Sequence, residues 1–167
     1  MNKHYIKYLG LLPLFILLQV LVLNKVLFFS YINPYLYLVL ILSLPQKTPK
    51  WFLLVYAFFL GFFIDLFSGS IGFHSTATVL LAFVKPAISR ISIPHNILGD
   101  YDKISMHKIG GKSFITYAFL LILIHNTVLF SLEHLSFSVS IFTKIVSSSI
   151  ISLVLILIME LFKNKKK

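Results

Sequence analysis

The stretch from Ala57 to His74 constrains the fold more than any other part of the sequence. It places one carboxylate, Asp65, inside an apolar run of membrane-spanning character, and a Gly/Ser turn and a second apolar run follow. A charged side chain at the centre of a bilayer helix costs roughly 2.5–3.5 kcal/mol on insertion scales. Asp65 is therefore expected to have a structural or functional reason for its position.

The composition of the whole chain also favours a membrane location. Of its 167 residues, 58% are hydrophobic and only 12% are charged, and the mean hydropathy is +0.93. A soluble domain has about 25% charged residues, and a soluble fold of this size cannot bury so much apolar surface. The sequence therefore predicts an all-α integral membrane protein. The absence of cysteine excludes disulfides, thiolate metal sites and cysteine nucleophiles.

Apolar runs separated by polar turns predict six transmembrane helices in a single domain over residues 1–167. The predicted spans cover residues 8–23, 34–44, 51–67, 72–86, 114–132 and 138–162. The second span is short, because at 1.5 Å per residue it reaches only about 16 Å across a core of about 30 Å. Asn33 is expected to cap this helix and Pro34 to occupy its first position. Any non-helical backbone beside it must be buried in protein or line a wet cavity.

The basic residues predict the orientation of the spans. With the N-terminus in the cytoplasm, 13 of the 15 Lys and Arg residues fall on the cytoplasmic side, and only Lys25 and Lys144 fall outside. This is a strong positive-inside pattern, so both termini are expected to be cytoplasmic. Residues 91–113 form the predicted cytoplasmic loop, with room for one helical turn, and 163–167 form a basic tail. Because the cations lie between apolar runs and at the termini, no nucleic-acid binding is expected.

Seven polar residues fall in the predicted outer half of the bundle. They are Gln19, Asn33, Asp65, His74, His125, Glu133 and Lys144. In one interpretation they hold the helices together, with Asp65 or Glu133 neutralising Lys144 and each interhelical hydrogen bond contributing about 0.6 kcal/mol. In the other they line an outward-facing cavity for a ligand or a partner's transmembrane segment. The inner half is expected to hold almost no polar side chain except Ser, Thr and Lys85, which would extend its amine to the membrane surface.

Small residues predict close helix packing. Gly61 lies four residues before Asp65 on the same helix face, and Gly69 and Gly72 are the other predicted packing glycines. Ser147, Ser148, Ser149 and Ser152 give the last span a similar small-residue face.

Catalytic patterns do not occur in the sequence. It contains no HExxH, no paired-aspartate metal motif and no Ser nucleophile beside a base. We therefore expect no enzymatic activity, no cofactor and no metal site.

Several of these residues occur in an order and spacing known from one bacterial family. The relevant features are Leu18-Gln19, Asn33-Pro34-Tyr35-Leu36-Tyr37, Ala57-Phe58, Gly61-x-x-x-Asp65-Leu66, Gly72, His74, His125-Asn126, Leu132-Glu133 and Phe137. Together with six spans, they resemble the MreD family of rod shape-determining membrane proteins, and the second half is similar to its Bacteroidetes-type branch.

That resemblance implies a non-enzymatic component of the cell-elongation (rod) complex in the bacterial inner membrane. Members of the family work with MreC, the MreB cytoskeleton, the glycosyltransferase RodA and a class B penicillin-binding protein. The implied role is to bind MreC and help position the peptidoglycan synthases that set cell shape.

The same family is similar in fold to the substrate-binding S components of energy-coupling-factor (ECF) vitamin transporters, which are six-helix bundles with a pocket that opens outward. A vitamin- or micronutrient-binding S component is therefore the alternative function. S components dock through small residues spaced along their first helix. Over residues 9–18 only Gly10 is small here, which disfavours that alternative.

Overall fold

The computed structural model describes residues 3–25, 32–94, 97, 103–134 and 138–162, and these contain no β-strand. A π-helical turn, Gln19–Leu23, continues the first helix. The α-helices in the described part are Lys3–Leu18 (α1), Leu38–Leu42 (α2), Lys50–Ser68 (α3), Phe73–Ser92 (α4), Met106–Ile109 (α5), Gly111–His134 (α6) and Val139–Phe162 (α7). The predicted all-helical architecture is confirmed.

Four segments of the described chain are long and apolar enough to cross a membrane. They are Ile6–Leu23, Lys50–Ser68, Gly111–His134 and Val139–Phe162. They correspond to the first, third, fifth and sixth predicted spans and agree with the predicted membrane character. The 20-residue helix α4, which carries Lys85 and Arg90, is not among them. Helix α2 has five residues, too few to cross a core of about 30 Å as a helix.

The long helices pack in chain order around α2. Helix α3 packs most extensively against α4, α4 against α6, and α6 against α7, while α1 lies against α3. Helix α2 contacts α1, α4 and α6, and all of its residues are buried. The five-residue helix α2 therefore lies in the centre of the bundle, where its ends meet protein.

The backbone before α2 corrects one sequence prediction. The helix begins at Leu38, and residues 33–37 are not helical. Asn33 therefore does not cap the helix, and Pro34 is not its first residue. Pro34 and Tyr35 are buried, which agrees with the expectation that non-helical backbone at this position is covered by protein.

The serine face of α7 bonds this non-helical segment. The backbone amide of Asn33 donates to the Oγ of Ser148 at 3.2 Å, and the amide of Tyr35 donates to the Oγ of Ser152 at 2.9 Å. A helix start at residue 34 would need these amides to find other acceptors. The long-range bonds explain why the local signals for a helix start were wrong.

The other end of α2 is bonded by side chains from three helices. Tyr117, Tyr8 and Lys85 donate to the carbonyl oxygens of residues 42, 43 and 44 at 2.9, 2.9 and 2.8 Å. The last carbonyls of a helix have no partner within the helix, and an unsatisfied backbone group in lipid costs several kcal/mol. The neighbouring helices therefore supply the donors that α2 lacks.

Helix α4 is longer than predicted. It continues past Pro86 to Ser92, so Lys85 lies inside the helix. Lys85 is only 3% exposed. The expectation that Lys85 extends its amine to the surface was wrong, because the amine is bonded in the core. The prediction that this end of the bundle holds almost no other polar side chain was also wrong. Glu160 is fully buried, and its carboxylate accepts a 3.2 Å hydrogen bond from the amide of Met106.

The predicted polar loop at 91–113 is partly helical. Helix α5 provides the single expected turn, and α6 begins at Gly111, three residues before the predicted start. Several predicted features lie outside the described residues: loop positions 95, 96 and 98–102, Phe137, and the basic tail 163–167.

Candidate functional site

A polar cavity lies at the end of the bundle that carries the α3–α4 turn. It has a volume of about 200 Å³ and is lined by Asn24, Asn33, Tyr35, Ser68, Ser70, Phe73, His74, Leu129 and Glu133. These residues come from the end of α1, the segment before α2, the α3–α4 turn and α6. Asn33, His74 and Glu133 of the predicted polar cluster therefore line one cavity.

Two glycines shape the α3–α4 turn. Gly69 ends α3 with φ +70°, and Gly72 precedes α4 with φ +74°. Both values lie in the left-handed region that favours glycine. A Cβ at either position would meet no atom of the described residues within 4 Å. These two glycines therefore provide backbone conformation, and the prediction that they are packing contacts was wrong.

The carboxylate of Asp65 fixes this turn to the start of α4. Its Oδ1 accepts hydrogen bonds from the Ser70 hydroxyl at 2.6 Å and the His74 amide at 3.0 Å. Its Oδ2 accepts the amide and hydroxyl of Ser75 at 2.8 and 2.5 Å. These bonds satisfy the first amides of α4, where a negative charge is favourable. Within the described chain all of these donors belong to the α3–α4 hairpin, so the expected pairing of Asp65 across the bundle does not occur there.

Gly61 allows α4 to approach α3 one turn before Asp65. A Cβ on Gly61 would lie 2.5 Å from the Cα of Ser75 and 2.7 Å from the carbonyl oxygen of His74. Both are backbone atoms, so α4 would have to move to admit an alanine. The glycine and the carboxylate thus position the same segment of α4.

A chain of hydrogen bonds runs through the core beneath the cavity. The hydroxyl of Tyr37 lies 3.0 Å from the Nδ1 of His74 and 3.0 Å from the Nε2 of His125. The Nδ1 of His125 lies 3.2 Å from the Oδ1 of Asn126, whose Nδ2 donates to the Oγ of Ser149 at 2.9 Å. All five residues are buried. The chain connects α4, the segment before α2, α6 and α7.

One direction of donation satisfies every group in this chain. The carboxamide oxygen of Asn126 only accepts, so the Nδ1 of His125 must donate and, in the neutral ring, its Nε2 must accept. The Tyr37 hydroxyl therefore donates to His125 and accepts from the Nδ1 of His74. Ser149 completes the chain by donating to the carbonyl oxygen of Ile145 at 2.7 Å. A polar network with every member satisfied favours a single core arrangement.

The ring of Tyr35 separates the cavity from His125. Its centroid lies 5.7 Å from the centroids of His74 and His125 and 6.0 Å from that of Tyr37, each in an edge-on arrangement. His125 is buried beneath this ring and does not line the cavity. Neither Tyr35 nor Tyr37 was predicted to have a site role, although both belong to the Asn33–Tyr37 motif.

Gln19 connects α1 to the segment before α2. Its Nε2 donates to the carbonyl oxygen of Pro34 at 2.8 Å and to the Oδ1 of Asn24 at 2.9 Å, and its Oε1 accepts from the amide of Leu36 at 3.1 Å. Asn24 donates in turn to the Oγ of Ser68 at 2.9 Å. Gln19 is therefore a buried structural residue that reaches the cavity wall only through Asn24.

An ion pair lies at the rim of the cavity. The Nζ of Lys144 is 3.7 Å from the Oε2 of Glu133 and 4.6 Å from the ring centroid of Phe130. Of the two alternatives predicted for neutralising Lys144, the structure joins it to Glu133. The Glu133 side chain is 41% exposed, and exposed ion pairs contribute little to stability. The Glu133 carboxylate is therefore accessible at the rim of the cavity.

The arrangement is suited to binding and to bracing helices. Among the described residues there is no group of three or more His, Cys, Asp or Glu side chains that could hold a metal ion. Comparison of the chain with family models, curated proteins and solved structures finds no match in any of the three.

Proposed function

We propose that the chain is a non-enzymatic membrane scaffold of the bacterial cell-elongation complex, as its resemblance to the MreD family implies. In this proposal it binds MreC directly, and RodA, a class B penicillin-binding protein and MreB belong to the wider complex. The chain crosses the inner membrane six times with both termini in the cytoplasm.

The observation that carries this proposal is the way the motif residues are used. Asp65 braces the α3–α4 turn, Gln19 and Tyr37 brace the segment around α2, and His125-Asn126 continues the network to α7. These polar groups form hydrogen bonds that fix one arrangement of the helices, as a scaffold requires. Glu133, whose side chain is 41% exposed, then presents its carboxylate at the rim of the cavity, paired with the partly buried Lys144.

Six crossings are geometrically reasonable although α2 is short. Helix α4 has 20 residues, which span about 30 Å at 1.5 Å per residue, the thickness of the bilayer core. Residues 33–44 combine extended and helical backbone, and together reach about 25 Å. Asn33 lines the cavity at one end of the bundle, and the carbonyl of Leu44 is bonded by Lys85 near the other.

The test is capture of purified MreC by the tagged full chain in detergent. We expect the wild-type chain to retain MreC, and the double variant Glu133→Ala/Lys144→Ala to retain severalfold less while eluting as the same monodisperse species. Lys112→Ala, an exposed cation at the start of α6, is the matched control and should behave as wild type. Absence of capture by the wild-type chain would refute the proposal. Unchanged capture by the double variant would show that Glu133 and Lys144 do not contribute to MreC binding.

The polar cavity is the feature that a substrate-binding S component, the alternative function, would use as its pocket. Its volume of about 200 Å³ is below the roughly 300–1,000 Å³ of typical small-molecule pockets, which favours the scaffold. Native mass spectrometry of the purified chain separates the two functions. A stoichiometric vitamin-sized ligand would support the transporter subunit, and ligand-free protein that captures MreC would support the scaffold.

A further inference from the structure

An apolar groove runs along the outer face of α3 and α4, away from the polar cavity. It comprises two adjoining cavities of about 360 and 530 Å³ that share Leu54 and Phe83 in their walls. Phe58 also lines it, and Phe58 and Phe83 are 45% and 70% exposed. The groove therefore offers a long apolar surface that the described chain leaves uncovered.

Two cations lie at one end of this groove. Lys50 begins α3 and Arg90 lies in the last turn of α4, and both line the same cavity and are exposed. No ion pair joins either cation to an acidic side chain in the part of the chain that the structure describes. Within the described chain, this end of the groove therefore carries two positive charges without an acidic partner.

The length of the groove suits a lipid chain. Along α4 it extends from Arg90 to Ser75, about 22 Å at 1.5 Å per residue, against about 15 Å for the core of one leaflet. Trp51, beside Lys50, is 68% exposed, as aromatic anchors are at the membrane interface. The cationic end thus has the features of the headgroup level, and the apolar walls continue to the depth of the acyl chains.

We propose that this groove binds an anionic phospholipid, with its phosphate between Lys50 and Arg90 and one acyl chain against Leu54, Phe58 and Phe83. A guanidinium can bind a phosphate through two parallel hydrogen bonds, and an ammonium adds a second positive charge beside it. Basic pockets between transmembrane helices are a known mode of headgroup recognition. The apolar wall alone would suit a partner helix equally well, but the two cations favour an occupant that brings its own negative charge.

Native mass spectrometry of the delipidated full chain tests the proposal, with phosphatidylglycerol and phosphatidylcholine of identical acyl chains as probes. The wild-type chain should prefer phosphatidylglycerol. The Lys50→Gln/Arg90→Gln variant should bind it about 30-fold more weakly, since each basic residue near a membrane surface contributes about 1 kcal/mol. Leu80→Trp, which fills the groove without changing its charge, should also weaken binding, because Leu80 lines the apolar part.

The matched control is Lys7→Gln/Lys112→Gln, which removes two exposed cations from the same end of the bundle but outside the groove. It should bind phosphatidylglycerol as the wild type does. Equal weakening in this control, equal affinity for the two lipids, or normal binding by Leu80→Trp would each overturn the site. Loss of a bound partner protein in Leu80→Trp, with no lipid bound by the wild type, would assign the groove to a protein helix instead.

Discussion

The side-chain amine of Lys85 donates a 2.8 Å hydrogen bond to the carbonyl oxygen of Leu44. The bond joins the middle of α4 to the end of the central helix α2. It places an N–H donor at the carbonyl end of a helix, where the last carbonyls have no partner within the helix. A lysine next to Pro86 in a membrane sequence is thereby used as an internal cap.

Replacing Lys85 with methionine should destabilise the bundle by about 1–3 kcal/mol, because the carbonyl of Leu44 would be left buried without its donor. Unfolding of the purified chain by SDS titration measures the change. Lys112→Met makes the same substitution at an exposed position and should change stability by less than about 0.5 kcal/mol. Equal stability of the two variants would show that the carbonyl finds another donor.

Asp65→Ala should cost about 2–4 kcal/mol, because several donors of the α3–α4 hairpin lose one acceptor together. Asp65→Asn keeps one oxygen and should cost less. Thr76→Ala serves as the control, since the Thr76 hydroxyl is exposed and bonds only its own helix, at the carbonyl of Gly72. If Asp65→Ala unfolds at the same SDS concentration as Thr76→Ala, the carboxylate does not hold the turn.

Gly61→Ala and Gly10→Ala form a matched pair with opposite expected signs. At Gly61 the new methyl meets backbone atoms of α4, so we expect a loss of about 1–3 kcal/mol from overpacking. At Gly10, in the middle of α1, nothing of the described chain lies within 4 Å. Alanine there should stabilise the helix by up to about 1 kcal/mol. Midpoints of SDS unfolding for both variants distinguish the two effects, and a harmless Gly61→Ala would contradict the close approach.

A double-mutant cycle tests the hydrogen bond between Tyr37 and His125. Tyr37→Phe and His125→Phe each remove one partner, and the pair should show a coupling energy of about 0.6 kcal/mol or more, up to about 1.7 kcal/mol, the mean and the maximum for interhelical hydrogen bonds in a membrane protein. Leu123 lies on the opposite side of α6 from His125 and is partly buried. It therefore serves as the reference position. Tyr37→Phe combined with Leu123→Ala should be additive, and equal coupling in both cycles would argue against a specific bond.

The parts of the fold that follow hydropathy were predictable. Helices α3 and α7 agree with their predicted spans to within one residue at each end, because length and apolar composition suffice to define them. The course of residues 33–37 was not predictable. Asn33-Pro34 is a good local signal for a helix start. The backbone amides of Asn33 and Tyr35, however, donate to serines of α7. No local pattern reveals a partner so distant in sequence.

The candidate site was predictable in its members more than in their roles. His74 and Glu133 were expected at one end of the bundle, and both line the cavity. Tyr37 was overlooked because a tyrosine in an apolar run is ordinarily packing, and only the position of two imidazoles shows that its hydroxyl is bonded. Glu160 was overlooked for a similar reason, since it stands in the last apolar run, close to the lysine tail.

The serine acceptors of α7 also impose an order on biosynthesis. The amide of Asn33 and its acceptor, Ser148, are 115 residues apart, so the segment around α2 leaves the ribosome long before α7 exists. A five-residue helix is too short to be recognised by the insertion machinery as a span of its own. We expect this segment to remain in the interfacial region until α7 has been inserted, and only then to enter the bundle. The chain has no cysteine of its own, so single cysteines introduced at residues 33–44 report on this step. They should react with water-soluble thiol reagents in nascent chains arrested before α7 and be protected in the completed chain.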